Sequence, residues 1–453
     1  MKTTFIQAGI RAGLGVLCAA LISLPAFAIT VKEVKSPGGI SAYLAEDHTT
    51  PVIAITFGFR GGSAIDPPAK LGISGFAVST LDEGAGDLDS FAFQSELADR
   101  AITVRFGDDP DMITGNVVTT SANLSRALEL MQMALTKPRF DAEPVERIRR
   151  QILVGIAARQ ENPGRIARKT MMEAVFPGHP YARESDGSAE TVGAVTALDL
   201  QAWVKARFAR DRLLISAAGD ITEADLGKAM DQLFGGLPKT TGLDVKVPMV
   251  SAPKKGQTIR VEKNIPQSIV MLTQRGLMRR DPDWYIATVD DYIFGGGSFA
   301  SRLMNEVREK RGLAYSVGTG LSPYESGALM SGQVGTRADQ ADTSLAIIKD
   351  EWKKMRDGGP TQKEVDEAKQ YLTGAWPLRF TSTGSIASIL LAVQRDQLGL
   401  DYIDKRNSMI EAVTLADAKR VAKSLYDPDA LTVVVVGPAV KPGAKPPAKA
   451  ANP

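Results

Sequence analysis

Cysteine and histidine are nearly absent from this sequence. Its 453 residues include one cysteine, Cys18, and two histidines, His48 and His179. Because Cys18 lies in the first 28 residues, a chain without that segment has no thiol and no disulfide. Neither histidine has a second histidine three or four positions away, the spacing at which a helix presents two zinc ligands. We therefore expect His48 to be a surface residue and His179 to pack within a proline-rich loop, rather than to bind zinc.

An excess of charge of either sign is also missing. The sequence has 54 basic and 52 acidic residues, and two of the basic residues, Lys2 and Arg11, lie in the first 28 positions. The rest of the chain is therefore close to neutral, and it has no basic stripe of the kind that follows a nucleic-acid backbone. Residues 439–453 are rich in Pro, Ala and Lys, a composition that predicts a flexible tail.

Two common kinds of catalytic or binding motif are not found. No G-x-S-x-G motif is present, and neither Ser79 nor Ser298 has a base nearby in the sequence. The glycine run 295–297 lacks the Gly-Lys-Ser/Thr that a phosphate-binding loop requires, and we expect it to follow a helix instead of a strand. Serine hydrolase and P-loop chemistry are therefore disfavoured.

The first 28 residues have the pattern of a secretory signal peptide. Two basic residues flank the start, residues 12–24 are mostly apolar, and residues 26–28 form an A-x-A cleavage pattern. A membrane anchor would need roughly 20 apolar residues and would not end at a proline and a cleavage site. We therefore expect cleavage after Ala28 and a bacterial periplasmic location, which suits a mature chain of this size without cysteine.

The remaining sequence has the pattern of two copies of one domain. A helix that begins after Thr196 precedes a strand that ends at Gly219, and a helix after Thr414 precedes a strand that ends at Gly437. Both pairs repeat at an offset of 218 residues, which is too long for a solenoid and indicates two similar domains. The predicted divisions are an N-terminal domain (29–237), a linker rich in Pro, Lys and Gly (238–256) and a C-terminal domain (257–438).

Each copy mixes strands with helices in an order that predicts an α+β fold. Strands such as 52–59 and 268–273 are followed by helices and then by further strands. We expect two homologous domains, each a mixed, mostly antiparallel sheet with helices packed mainly on one face. Each domain is expected to form half of a clam-shell around a chamber.

The segment from Gly72 to Gly84 is predicted to be a short helix after a strand, ending at Gly84. Positions 75, 78 and 79 of such a helix share one face, at the spacing of the two ligands and the general base in a His-x-x-Glu-His zinc site. Here they hold Gly75, Val78 and Ser79, none of which is a good zinc ligand or proton acceptor. The sequence therefore predicts the scaffold of a peptidase site without its chemistry.

Taken together, the chain resembles the pitrilysin/insulinase family of zinc peptidases, in particular its short bacterial and processing-peptidase-like branch. The likeness covers residues 30–438 and includes GGSAIDP at 61–67, FPGHPY at 176–181, GGGSFASRL at 295–303 and VREKRGLAY at 307–315. The resemblance implies a distal glutamate as third zinc ligand, and its position falls near Gly155. All four groups are then replaced in this chain, so the resemblance implies an inactive homologue that binds no metal by itself.

The motif at 307–315 is intact, in contrast to the zinc positions. In the family that this chain resembles, the residues corresponding to Arg308 and Tyr315 reach towards the zinc site of the other half or of a partner. They bind the substrate backbone and support the tetrahedral intermediate. From spacing alone, a solvated arginine and a core tyrosine would be the favoured interpretation, and the surrounding motif favours a functional role instead. Arg302 and Arg311 are expected to be structural.

The resemblance leads to a first hypothesis and two alternatives. The first is a non-catalytic, substrate-binding subunit of a heterodimeric periplasmic zinc peptidase that degrades or processes peptides, with zinc on a homologous partner subunit. Its substrates would be unfolded peptides, bound by strand addition to an exposed sheet edge such as 112–119, and a dedicated precursor peptide is an open variant. The second is a purely structural or assembly protein with a peptidase-like fold. The third is an independent peptidase with an atypical metal site.

Overall fold

A computed structural model describes residues 29–439 of the chain. The predicted signal peptide, 1–28, and positions 440–453 of the predicted tail lie outside this part. Among the described helices, none is long and apolar enough to cross a membrane.

Six strands of the first half form one mixed sheet in the order β1-β2-β6-β3-β5-β4. The strands are β1 (Val31–Lys35), β2 (Ser41–Glu46), β3 (Val52–Arg60), β4 (Thr103–Asp108), β5 (Met112–Thr120) and β6 (Leu213–Gly219). Only β2 and β6 pair in parallel, and the other neighbours are antiparallel. The central strand β3 is buried along almost its whole length, because both faces of the sheet are covered there.

Five strands of the second half form a second sheet in the order β7-β11-β8-β10-β9. They are β7 (Thr258–Glu262), β8 (Gln267–Arg275), β9 (Ala314–Tyr324), β10 (Gly327–Arg337) and β11 (Thr432–Gly437). One pair, β7 with β11, is parallel and the other pairs are antiparallel. Apart from β1, the two sheets therefore have the same strand order, and the predicted α+β class with mixed, mostly antiparallel sheets is confirmed.

Helices alternate with these strands in both halves. In the first half they are α1 (Ile73–Val78), α2 (Ser90–Asp99), α3 (Leu124–Thr136), α4 (Ala142–Glu161), α5 (Pro163–Val175), α6 (Ala189–Gly193), α7 (Ala197–Arg207) and α8 (Glu223–Phe234). In the second half they are α9 (Trp284–Asp291), α10 (Ala341–Gly358), α11 (Gln362–Gly374), α12 (Thr383–Arg395), α13 (Tyr402–Glu411) and α14 (Leu415–Leu425). The helices predicted after Thr196 and Thr414 are present and capped by these threonines, since Thr196 accepts from the Asp199 N–H and Thr414 from the Asp417 N–H.

The two halves exchange one helix each. Helix α5 of the first half packs on β8 and β11 of the second sheet, and its Met171 and Val175 share an apolar cluster with Val434 and Val436. Helix α12 of the second half packs on β2, β3 and β6 of the first sheet. Each sheet thus has helices of its own half on one face and a helix of the other half on the opposite face, so each half completes the core of the other.

A hydrogen-bonded contact also fastens the β9–β10 turn to the first half. The Tyr181 hydroxyl donates to Asp111 Oδ1 at 2.6 Å and accepts from the Ser326 N–H at 3.0 Å. The Glu325 N–H donates to the second oxygen of Asp111 at 3.0 Å. Residues 238–256, between α8 and β7, contain neither helix nor strand, so the exchanged helices and this contact hold the halves together.

Candidate functional site

Helix α1, which carries the degenerate zinc positions, is held by a buried ion pair. Asp66 accepts from the Ser74 N–H at 3.1 Å and from the Ser74 hydroxyl at 2.6 Å, which fixes the first turn of the helix. Arg207 donates to Asp66 at 2.7 Å and to the carbonyl oxygens of Gly61 and Gly62 at 2.6 and 3.0 Å. The side chains of Asp66 and Arg207 are only 1% and 5% exposed. Burial raises the pKa of Asp66 even beside the guanidinium of Arg207, because desolvation outweighs their attraction.

Helix α1 ends at Val78, so the predicted end at Gly84 is wrong. The Ser79 hydroxyl donates to the Gly75 carbonyl at 2.7 Å, and the Thr80 hydroxyl donates to the Phe76 carbonyl at 2.9 Å. Such back-bonding by Ser and Thr competes with continuation of the helix. The chain then turns through residues 79–84, and Gly84 adopts a φ of 105° that suits glycine.

The structure places Gly75 and Val78 on α1, Ser79 at its C-cap and Gly155 on α4. A Cβ atom at Gly75 would lie 3.6 Å from the Asp108 carboxylate, and one at Gly155 would lie 3.6 Å from the Arg159 guanidinium. Both distances are ordinary van der Waals contacts, so Asp108 and Arg159 are the side chains that neighbour these two positions. Zinc needs three nitrogen, sulfur or carboxylate donors, and Gly75, Val78, Ser79 and Gly155 supply none, so these positions do not fit the metal. In residues 29–439, no group of three or more His, Cys, Asp or Glu could hold a metal ion.

Asp108 is the ionisable group beside the degenerate site that sequence patterns did not reveal. It is the last residue of β4, and burial, assisted by the negative charge of Asp66, raises its pKa to about 6. At neutral pH a part of its population is protonated, so it can either accept or donate a hydrogen bond. No spacing signal could identify it, because its place beside α1 depends on the pairing of β4 with β5 and on the packing of α1 against β4.

Strand β4 is the edge of the first sheet on this side. Strand β5 pairs with β3 on one side and β4 on the other, so the predicted exposed edge at 112–119 is wrong. Within the described residues, β4 has no partner on its outer side and lies against α1. The alternation of apolar residues in β5 fits an interior strand as well as an edge strand, and the error came from that ambiguity.

Arg308 and Tyr315 are brought together in the second half. Arg308 lies in a π-helical turn, Met304–Glu309, and Tyr315 is the second residue of β9. Arg308 Nη1 donates to the Tyr315 carbonyl at 3.0 Å. The guanidinium carbon lies 4.8 Å from the ring centroids of both Phe299 and Tyr315. These rings are 64% and 83% exposed, so the arginine is held between two aromatic side chains at the protein surface.

Phe299 is a member of this group that sequence analysis missed. It follows Ser298, whose φ of 50° is unusual for a residue other than glycine. The preceding glycines are needed for packing, because a Cβ at Gly295 would lie 2.4 Å from the Thr319 hydroxyl and one at Gly297 would lie 2.5 Å from the Tyr292 carbonyl. The run begins inside a π-helical turn, Tyr292–Gly296, that directly follows α9, as expected for a segment that follows a helix and is not a phosphate-binding loop. Its glycines allow the chain to turn and present Phe299 to Arg308.

The other arginines of these motifs make structural contacts. Arg302 donates to both oxygens of Glu364 at 2.6 and 2.7 Å, which ties the segment to α11. Arg311 donates to the carbonyl and the carboxylate of Glu306 within its own turn. Both side chains are therefore tied to carboxylates of the protein, whereas Arg308 Nη2 has no hydrogen bond to another described residue.

Both histidines lie in ordinary protein contacts. His48 is exposed and bonds to Asp220 at 2.6 Å and to Glu46 at 3.0 Å. His179 is buried, accepts from the Tyr181 N–H at 3.2 Å and lies 2.8 Å from the Pro248 carbonyl. Their contacts are those expected of a surface histidine and of a histidine that packs a loop.

Comparison with known proteins matches both halves of the chain. The model of the insulinase family, peptidase family M16, matches residues 42–187, and that of the peptidase M16 inactive domain matches residues 194–372. A crystal structure of a peptidase M16 inactive domain from Pseudomonas fluorescens is 30% identical, with a TM-score of 0.85, and covers 91% of this chain and 98% of its own.

Two further relatives extend over nearly the whole chain. A protein of Helicobacter pylori, named non-peptidase homolog YmxG, is 23% identical over 421 residues, which cover 93% of this chain and 96% of the relative. The β subunit of the mitochondrial-processing peptidase of Blastocladiella emersonii is 22% identical over 432 residues, 92% of this chain and 90% of its own. Together with the substituted zinc positions, these likenesses support a peptidase-like chain that is not catalytic by itself. The chain belongs to the insulinase family of M16 peptidases.

Proposed function

We propose that this chain is the non-catalytic, substrate-binding subunit of a heterodimeric periplasmic zinc peptidase that degrades or processes peptides. The observation that carries the proposal is the contrast between the two halves. The zinc positions of the first half hold residues that cannot bind the metal, whereas the second half brings Arg308 and Tyr315 together, with Tyr315 exposed and Arg308 partly exposed. Zinc is expected on a homologous partner subunit, and this chain contributes hydrogen-bond donors to the partner's site.

The chemistry of the Arg308–Tyr315 pair suits this role. A guanidinium and a phenol can both donate to the oxygen of a peptide carbonyl as it gains negative charge. Stacking between Phe299 and Tyr315 holds Arg308 in one orientation before substrate arrives, so less conformational entropy is lost on binding. An arginine needed only for solubility would have no reason to lie between two exposed aromatic rings.

Peptide substrates have a place to bind on the first half. Strand β4 offers unpaired backbone groups on its outer side, and an extended peptide can pair with them as an added strand. This edge replaces the segment 112–119 that the sequence suggested. Unfolded peptides suit this mode of binding because they can adopt the extended conformation without disrupting a fold.

The test is peptide cleavage by this chain together with a zinc-binding M16 partner subunit. Arg308→Ala and Tyr315→Ala are each expected to lower kcat/KM by about 10²- to 10³-fold, the loss typical of a removed oxyanion donor. Arg337→Ala is the control, because Arg337 is an exposed arginine of the second half that pairs only with the nearby Asp339. Copurification of each variant with the partner shows whether the complex stays assembled.

The alternative is a structural or assembly protein with no part in proteolysis. If cleavage by an assembled complex is unchanged by Arg308→Ala and by Tyr315→Ala, this alternative replaces our proposal. An independent peptidase with an atypical metal site is tested by zinc analysis of the isolated chain. Stoichiometric, tightly bound zinc would contradict the proposal that zinc belongs to the partner.

A further inference from the structure

A cavity of about 570 Å³ opens in the first half. Its walls come from the C-terminal end of α4, from α5 and from the segment 178–191. On α4 the wall begins with Ile156, directly after Gly155, and continues with Arg159. Pro110, in the turn that follows β4, lines it as well. The cavity therefore borders the turn at the end of the free sheet edge.

Basic side chains dominate the lining of this cavity, which we term the basic pocket. It contains five basic and three acidic side chains, and the basic ones are Arg159, Arg165, Arg168, Lys169 and Arg183. Arg159 lies 2.9 Å from Asp186, while in residues 29–439 the other four basic residues form no ion pair. A concave surface lined by one sign of charge concentrates the field and attracts ligands of the opposite sign. The pocket therefore favours an anionic group.

Arg159 is the one basic residue of the pocket that has an ionic partner among the described residues. Its Nη1 atom lies 2.9 Å from the Asp186 carboxylate, without the alignment of a hydrogen bond. The two side chains are 36% and 40% exposed, so solvent weakens this pair and a ligand carboxylate can compete for the guanidinium.

Strand β4 leads to the basic pocket. It ends at Asp108, and the turn to β5 passes through Pro110 in the pocket wall. A peptide paired with the outer side of β4 would extend by about 3.3 Å per residue and would reach the pocket at this end. The free edge and the pocket thus form one continuous path for an extended chain.

We propose that the basic pocket binds a carboxylate-bearing segment of the extended peptide that pairs with β4. This inference rests on the proposed function, because it takes peptides as the ligands of this chain, and it adds their chemical class. Arginine forks bind carboxylates through paired N–H donors, which gives both strength and orientation. The carboxylate comes from acidic side chains or from a free C-terminus.

The experiment measures binding of three fluorescein-labelled nonapeptides to the full chain by fluorescence anisotropy. All three share a Val/Thr core. The first has three consecutive aspartates and an amidated C-terminus, the second a neutral sequence with a free C-terminus, and the third three lysines and an amidated C-terminus. We expect at least one carboxylate probe to bind ten times more tightly than the lysine probe, since hydrogen bonds between charged groups contribute about 1.5–3 kcal/mol. Whichever carboxylate probe binds identifies the source of the group.

Charge reversal in the pocket provides the second readout. Lys169→Glu and Arg183→Glu are each expected to weaken the favoured probe about tenfold. The control is Lys363→Glu on α11, whose side chain is 83% exposed and pairs only with Glu367. It should leave binding unchanged, and circular dichroism confirms that each variant is folded.

Equal binding of the three probes, tighter binding of the lysine probe, or the same loss with the control variant would overturn the proposal. None of these results bears on the Arg308 and Tyr315 measurements, so failure of the pocket proposal is distinguishable from failure of the proposed function.

Discussion

Removing Arg207 should destabilise the scaffold of the degenerate zinc positions, which consists of helix α1 and the buried ion pair that holds it. In Arg207→Met, Asp66 stays buried with a negative charge and keeps only the Ser74 donors, while the Gly61 and Gly62 carbonyls lose theirs. Breaking a buried ion pair by removing one partner destabilises proteins by about 3–5 kcal/mol. We expect a loss of that size in the free energy of unfolding at pH 7, measured by urea denaturation with circular dichroism.

The companion variants show where the energy comes from. Asp66→Asn alone leaves Arg207 without its counter-ion, whereas the double variant, Asp66→Asn with Arg207→Met, leaves no buried charge. The losses of stability in the two single variants should therefore not add up in the double variant, and we expect a coupling of about 2 kcal/mol. Burial already raises the pKa of Asp66 above its unfolded value, so the deficit of Arg207→Met should grow as the pH rises and shrink as it falls. Arg212→Met is the matched control, because Arg212 is also buried but donates to Ala206 and Thr241, and its one ionic partner among the described residues, Asp211 at 3.5 Å, is itself 41% exposed.

A loss below about 1 kcal/mol in Arg207→Met, or additive losses in the double variant, would refute the reasoning. Either result would mean that Asp66 is neutral in the native state or that water reaches it. The control separates these causes from a general effect of shortening a buried arginine, since Arg212→Met removes neutral hydrogen bonds and a solvent-exposed ion pair and leaves no buried carboxylate without a partner.

Two further predictions concern other buried polar groups. Asp290 is fully buried, its two carboxylate oxygens have no hydrogen-bond partner among residues 29–439, and burial raises its pKa to about 8. Because the pKa of Asp290 is higher in the folded than in the unfolded chain, the native chain should lose stability relative to Asp290→Asn as the pH rises. The expected loss is about 1.4 kcal/mol per pH unit between about pH 5 and 8, measured by urea denaturation. A difference that does not change with pH would contradict this. Tyr181→Phe should lower the free energy of unfolding by about 1–3 kcal/mol, because Asp111 and the Ser326 N–H both lose a buried partner. Tyr43→Phe is its control and should change stability by less than about 0.5 kcal/mol, since the Tyr43 hydroxyl has no hydrogen bond to another described residue.

Local patterns were sufficient to predict much of the fold. Strands β3 and β8 were visible as apolar runs, and the helices after Thr196 and Thr414 were marked by their caps and first-turn aspartates. These signals are local, so neighbouring residues alone determine them. The exchange of α5 and α12 is different, because an amphipathic helix looks the same whether it covers its own sheet or that of the other half. Nothing in the sequence of α5 identifies β11 as the surface on which it packs.

The residues of the candidate site also differ in whether the sequence alone could locate them. Gly75, Val78 and Ser79 could be located because their role depends on spacing within one turn, and Arg308 and Tyr315 because one motif contains both. Asp108 and Phe299 could not, since each reaches its site through a change in chain direction. Sheet pairing brings Asp108 to α1, and the glycine run with its left-handed Ser298 brings Phe299 to Arg308.

The energetics of the first half argue that its degenerate site still has a use. A site that merely lost its metal would be most stable with apolar side chains filling the space, because buried charges are costly to desolvate. Instead, burial raises the pKa of Asp108 to about 6 beside Gly75, and Arg159 lies in the wall of the basic pocket, one helical turn after Gly155. The proposed peptide passes Asp108 at the end of β4 and places its carboxylate in the basic pocket. Saturating the chain with the favoured carboxylate probe should therefore raise its thermal midpoint. Arg159→Met should abolish that increase while destabilising the free chain little, because the ion pair of Arg159 with Asp186 is partly exposed.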